Sequence, residues 1–222
     1  MKKIFCLFLS WFYLQVSFSQ NVVLHDPMTS RYFDSQKYTG ILGSPFLFKD
    51  WIKGTAVTPK GIYQNLELKY DAYENILLFK KEDKSLEFQE DVKEFILMSN
   101  EMDSNSYQYF IKGIIADGLS AQKYVQVLSK GKIKLYKLNA RLMTEVSEIN
   151  QGIKKSFTNV TKYYAGAEGH IQQVNLNKKD LLPLFKGKEA DVQQYIKDKS
   201  LNVKKEEDVV ALVNYYNTVS QK

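Results

Sequence analysis

The 222-residue chain holds one cysteine, two histidines, two tryptophans and four prolines. A lone thiol forms no internal disulfide, no dithiol redox pair and no thiolate zinc set. Two histidines, His25 and His170, leave a Ser-His-Asp relay only those two bases. The sequence has no Walker A glycine loop and no dinucleotide fingerprint, because Gly40-Ile41-Leu42-Gly43 runs into Ser44-Pro45 and not into a helix. It also lacks an apolar run of the roughly 20 residues needed to span a bilayer. Ile4 to Phe18, almost unbroken, is too short.

What is present describes a globular chain. Hydrophobic residues make up 44% and charged residues 25%, so burial can offset chain entropy. The length suits one domain of moderate size, or one with a small appendage. Aromatics at 14%, with 15 tyrosines and 13 phenylalanines, favour strands over helices.

Lys2-Lys3, the apolar run and the small residues Ser17 and Ser19 follow the order of a secretory signal peptide over residues 1–19. The expected location is therefore outside the cytoplasm, periplasmic or associated with the outer membrane and beyond. Cleavage would lower the formal charge from +6 to +4 and remove Cys6, leaving a cysteine-free mature chain. Such a chain has to rely on its hydrophobic core, and about 200 residues can bury roughly 70% of their surface.

Residues 20–42, with His25-Asp26-Pro27, read as an N-terminal arm. Residues 43–176 read as an antiparallel β domain. Thr58-Pro59-Lys60-Gly61 is a turn joining Trp51–Val57 to Ile62–Tyr70, in which Leu66, Leu68 and Tyr70 alternate with Glu67 and Lys69. Lys81–Ser85 forms a charged turn, and Lys130-Gly131-Lys132 links two further strands. Residues 141–156 show no clear period. Residues 177–222 switch to helical spacing, with Asp180 as a cap, Pro183 in a first turn and Gly187 as a stop. Val209, Leu212, Val213 and Tyr216 then follow the i, i+3, i+4, i+7 rule behind Glu206-Glu207-Asp208. The expected fold is α+β: an antiparallel β-sandwich or barrel-like sheet followed by two or three C-terminal helices packed on it.

Gly43-Ser44-Pro45-Phe46-Leu47, Gly54-Thr55-Ala56-Val57-Thr58 and Leu66 to Tyr73 resemble the start of a group of exported proteins of Gram-negative bacteria that has no assigned activity. The resemblance resumes at Tyr124 to Leu128, Lys178 to Leu182 and Tyr215-Tyr216-Asn217, and is weak between about 139 and 160. It implies an exported β-rich fold and carries no catalytic residue. Pro183 departs from the uninterrupted helix of the group.

Candidate chemistry is thin. Ser120-Ala121-Gln122-Lys123 and Ser129-Lys130-Gly131-Lys132 match Ser-x-x-Lys, whose chemistry needs the serine at a helix start with the lysine one turn on. Both run into strand-like sequence. Glu101, Asp103 and Asn105 alternate as calcium ligands do, without the twelfth-position acid or the central glycine. Glu87 with Asp91, or Glu90 with Glu94, are the paired carboxylates, set in a polar stretch. No catalytic, cofactor-binding or metal-binding set is expected, and the chain is not read as an enzyme.

Charge is more telling. Residues 71–117 carry a net −6 and residues 123–162 a net +7. The simplest account is acidic strands facing basic ones. The functional account is a basic face (Lys132, Lys134, Lys154, Lys155) for an envelope protein or an anionic lipid or glycan. Export argues against nucleic acid. Tyr63, Tyr70, Tyr73, Tyr107, Tyr109, Tyr163 and Tyr164 supply either core pairs or a ligand groove. The expected function is an interaction or structural module of the bacterial envelope, with a small-ligand barrel for lipid or glycan as the alternative.

Overall fold

Among the described residues, hydrogen bonding in the computed structural model joins eleven strands into one antiparallel sheet, ordered β1-β5-β4-β3-β2-β6-β7-β8-β9-β10-β11. Residues 30–220 are described, apart from 101, 104, 105, 149–151 and 168. The expected signal peptide at 1–19, Cys6, residues 20–29 of the arm with His25, and the candidate ligands Glu101 and Asn105 lie outside the described residues. The strands are β1 (Ser30–Tyr32), β2 (Ile52–Thr58), β3 (Gly61–Asp71), β4 (Ile76–Lys81), β5 (Lys84–Phe88), β6 (Glu94–Met98), β7 (Tyr107–Ile111), β8 (Val125–Ser129), β9 (Lys134–Glu148), β10 (Gly152–Gly166) and β11 (Gln172–Val174).

The turns form where the local chemistry directs. Thr58 pairs with Gly61 across Pro59-Lys60, and the Thr58 hydroxyl accepts from Lys60 N–H at 3.2 Å. Glu82 takes a left-handed φ of 54° so that Lys81 can pair with Lys84. Gly131, at φ 140°, turns β8 into β9.

The α+β expectation holds: the described residues form one sheet, open between its edge strands β1 and β11. It rolls strongly. In a flat sheet β9 would lie about 24 Å from β3, five strand spacings away. Instead Arg141 N–H of β9 donates to Ala72 O, just past β3, at 3.1 Å. A strap, residues 42–47, completes the approach. Leu47 N–H bonds Tyr70 O and Ala72 N–H bonds Pro45 O, while Leu42 bonds Lys155 O and Phe157 N–H of β10. The Arg141 guanidinium holds the strap through Ser44 O and Phe46 O.

The expected arm is thus partly structured. Its residues 30–32 form β1, Ser35–Tyr38 form a 3-10 turn, and Leu42 begins the strap. The Tyr38 hydroxyl donates to buried Asp71 at 2.6 Å, and Tyr38 sits edge-on to Phe46, Tyr73 and Phe157.

Three apolar clusters follow from the alternation. One is aromatic: Tyr70, Phe95, Phe110 and Tyr124 pack with Leu68, Leu77 and Leu97. A second joins Val125, Tyr136, Leu138 and Tyr164 to Leu119 of the 112–124 loop. The third seats the helices on Ile133, Leu135, Ala165 and Val174. The helices are α1 (Lys178–Leu181), α2 (Glu189–Asp198) and α3 (Glu206–Val219), with Pro183 in a 3-10 turn after α1. Asn177, not Asp180, caps α1: its Oδ1 accepts from Asp180 N–H, and the Asp180 carboxylate turns back to Asn175. The expected face of α3, Val209, Leu212, Val213 and Tyr216, is buried, and Asn217 is buried beside it.

Candidate functional site

The sequence candidates disperse. His170 is exposed in a turn closed by its own N–H to Ala167 O. Ser120 and Lys123 close a loop turn, where a helix would be required for Ser-x-x-Lys chemistry. Ser129 ends β8 and donates to Asn214 of α3 at 2.6 Å, while Lys132 lies over the Tyr216 ring. The carboxylates are tethers. Glu90 binds Lys60 at 2.8 Å and accepts from the Thr58 hydroxyl at 2.6 Å, so its carboxyl is held below the usual range. Asp91 is lowered by Lys112 and Lys93, and Glu94 takes the Tyr109 hydroxyl. Among the described residues no group of three His, Cys, Asp or Glu side chains is placed to hold a metal ion.

The charge blocks do not face each other as expected. They meet at β7–β8, where the partners are Phe110 with Gln126 and Ile111 with Val125, apolar or neutral in every case. The basic stretch instead pairs with Glu206 of α3, through Lys137 at 2.8 Å, and internally, Lys155 with Glu145 at 2.9 Å. Nor do the four lysines of the expected basic face converge. Lys132 lies in the β8–β9 turn, while Lys154 pairs with Val146 twelve register positions from Gly166, about 40 Å along the strand. Of the seven tyrosines, Tyr63, Tyr70 and Tyr164 are core, Tyr163 donates to Glu206, and Tyr73 packs on Phe157.

Tyr109 lines a groove. The β7–β8 ladder runs only over Phe110–Gln126 and Ile111–Val125. At the next positions, Tyr109 and Val127, the strands diverge, aided by a register shift in β8 between Val127 and Ser129. The opening has a volume of about 370 Å³ and is lined by Ile96, Tyr109, Val127, Leu128, Ser129 and Lys130. Lys130 reaches across it, its Nζ 4.2 Å from the Tyr109 ring centroid. Burial and the Glu94 carboxylate push the Tyr109 phenol up to about 12, so it remains a neutral donor at ordinary pH.

The second feature is a ribbon. β9 and β10 pair without a bulge from Lys134–Gly166 to Glu148–Gly152. Their proximal half lies in the sheet. Beyond the Arg141–Ala72 bond, among the described residues, the outer edge of β9 meets no further strand. Apolar side chains stand in solvent here: Leu142 and Val146 are each 55% exposed and Ile153 64%. Leu42, 63% exposed, sits in the row of Ser156 and Thr144.

Sequence reasoning missed Asn217 and Arg141. Asn217 was findable, because it occupies i+8 of the stripe that starts at Val209. Arg141 gave no local signal, since its partners are carbonyls almost a hundred residues earlier.

The fold and its surface define an α+β protein with an open, rolled antiparallel sheet, C-terminal helices and a projecting ribbon. No family model, curated protein or solved structure matches the chain.

Proposed function

We propose that the chain is an exported, non-enzymatic interaction module of the bacterial envelope, and that the distal β9–β10 ribbon is its contact surface. The observation that carries this reading is the exposure of Leu142, Val146 and Ile153 on a ribbon that stands clear of all three apolar clusters. Solvated apolar side chains grouped on one element favour association. The export half rests on the order of charge, apolar run and small residues in 1–19. A photo-crosslinking amino acid placed at Val146 in living cells is expected to give a discrete protein adduct that Leu142→Asp abolishes. The same residue placed at exposed Lys199 of α2's end should give none. Equal adducts from both positions would remove the ribbon from the function.

The groove supports a second reading, a carrier of a small lipid. Its volume lies at the lower end of small-molecule sites, roughly 300–1,000 Å³, and it joins aliphatic walls to the Lys130 ammonium. Binding of a fluorescent fatty acid that is displaced by unlabelled fatty acid and lost in Lys130→Glu would favour it. Binding unchanged in that variant would dismiss it.

A further inference from the structure

We propose that the ribbon's partner is a second copy of this chain, joined edge to edge along β9 about a twofold axis at Thr144. The inference rests on the ribbon being the contact surface, and it names the occupant. The direction of the main chain comes first. Arg141 N–H points outward, to Ala72 O, so the odd-numbered positions that follow, Met143, Glu145 and Ser147, also present N–H and C=O outward, as an antiparallel strand requires. β10 confirms the phase: Lys155 O and Phe157 N–H face away from β9, towards Leu42, so Ser156 and its partner Thr144 face each other.

Charge, one usual protection of an edge, is present here as Arg141 and Glu145, but Arg141 is turned onto the strap and Glu145 is held by Lys155 of the same ribbon. Unpaired edges are also commonly blunted by proline, bulges or shortness. The four prolines lie at 27, 45, 59 and 183, none of them in the ribbon, and the β9–β10 register is continuous over fifteen residues of each strand.

The sequence along this edge is self-complementary. With Thr144 opposite the partner's Thr144, antiparallel pairing sets Leu142 against the partner's Val146 and Val146 against the partner's Leu142. Met143 then meets the partner's Glu145, and the converse, as hydrogen-bonded pairs formed from the outward groups. No like charges stand opposite each other, and Glu145 keeps its own Lys155. The apolar residues exposed in one copy cover those of the other. A pairing of the same patch on both chains closes as a dimer and does not propagate from that edge.

Thr144 provides the test. Directly opposed residues of a non-hydrogen-bonded pair have Cα atoms about 4.5 Å apart, within disulfide reach. In a Cys6→Ser chain, Thr144→Cys is expected to oxidise to a covalent dimer about tenfold or more faster than Lys199→Cys, because pairing raises the local thiol concentration. The unmodified protein should pass from the mass of one chain to that of two with rising concentration in sedimentation equilibrium. Glu145→Pro, which removes an outward N–H and leaves the β10 ladder intact, should hold it at one chain while its circular dichroism stays that of the folded protein. A mass of one chain at every concentration, or Thr144→Cys oxidising no faster than Lys199→Cys, overturns the pairing. If Val146 then still crosslinks to a different protein, the ribbon remains the contact surface and only the identity of its occupant falls. If Val146 yields no adduct of either kind, both readings fall together.

Discussion

Asn217 of α3 serves Ile133 as a neighbouring strand would. Its Oδ1 accepts from Ile133 N–H at 2.8 Å and its Nδ2 donates to Ile133 C=O at 2.8 Å. The same Nδ2 reaches Lys130 O at 3.1 Å, so one buried amide closes the β8–β9 turn and docks the helix.

Asn217→Ala leaves both polar groups of Ile133 buried without a partner. Each such orphan costs about 1–3 kcal/mol, so a loss of about 2–6 kcal/mol is expected in urea unfolding. Asn217→Asp keeps the acceptor but sets a buried carboxylate oxygen against the Ile133 and Lys130 carbonyls, and should cost at least as much. A loss under about 0.5 kcal/mol for the alanine variant would show that water replaces the amide.

Gly131→Ala tests the same junction from the turn. An added Cβ would lie 2.6 Å from Asn217 Cγ, and the φ of 140° suits glycine alone. The variant should be destabilised, and Asn217→Ala should relieve the steric part. A double-mutant cycle is therefore expected to give a coupling of roughly 0.5–3 kcal/mol. Strict additivity would mean that the turn moves aside without cost.

Asp71 anchors the arm ahead of the strap through Tyr38. It accepts from Tyr38 O–H at 2.6 Å and from the N–H groups of Tyr73 and Glu74 at 2.9 Å. Burial raises its carboxyl above the usual range, against the lowering pull of those donors. A raised acid contributes most below its ordinary value and loses that contribution as pH climbs through the folded one. Asp71→Asn, neutral and still an acceptor, should therefore cost less at pH 7 than Asp71→Ala, for which about 2–3 kcal/mol is expected. Unfolding curves at pH 4 and pH 7 check this. The reverse order of the two variants would mean that a neutral acceptor does not hold the Tyr38 hydroxyl.

Alkali should unfold the protein. Burial is the leading cause that raises the phenols of Tyr38, Tyr70, Tyr109, Tyr124, Tyr163 and Tyr164. The folded chain therefore holds protons that the unfolded chain releases near pH 10, and stability falls as pH rises past that point. For the deeply buried Tyr70 and Tyr124 the slope approaches about 1.4 kcal/mol per pH unit each. Phenolate absorbance at 295 nm should lag the denatured control and then rise with loss of circular dichroism. A native titration that overlays the denatured one would refute it.

Much of the fold was legible because burial imposes a period. Leu68 and Tyr70 alternate with solvated Glu67 since one face of β3 is core, and Val209 to Tyr216 repeat helically for the same reason. Residues 141–156 showed no period because the distal ribbon is wet on both faces, so neither face selects for apolar side chains. The surface singled out for function was hidden by the property that makes it available. Similarly, Asp180 looked like a cap by position, but Asn177 starts the helix three residues earlier, and only the backbone path distinguishes them. The rolling of the sheet was not readable either. Its mark is the bond between Arg141 and Ala72, which no local pattern connects.

The strap also constrains the order of assembly. Leu42 bridges Ser156, more than a hundred residues later in the chain. High contact order slows folding, because loop-closure entropy has to be overcome before such contacts form. A chain delivered from its N-terminus would present residues 42–47 first and their partners in β10 much later. The early segment must therefore wait for β10 before the main-chain bonds of Leu42 can form. Until then the aromatic group of Tyr38, Phe46 and Tyr73 lacks Phe157, and a chain held at that point would show these rings to any chaperone that meets it.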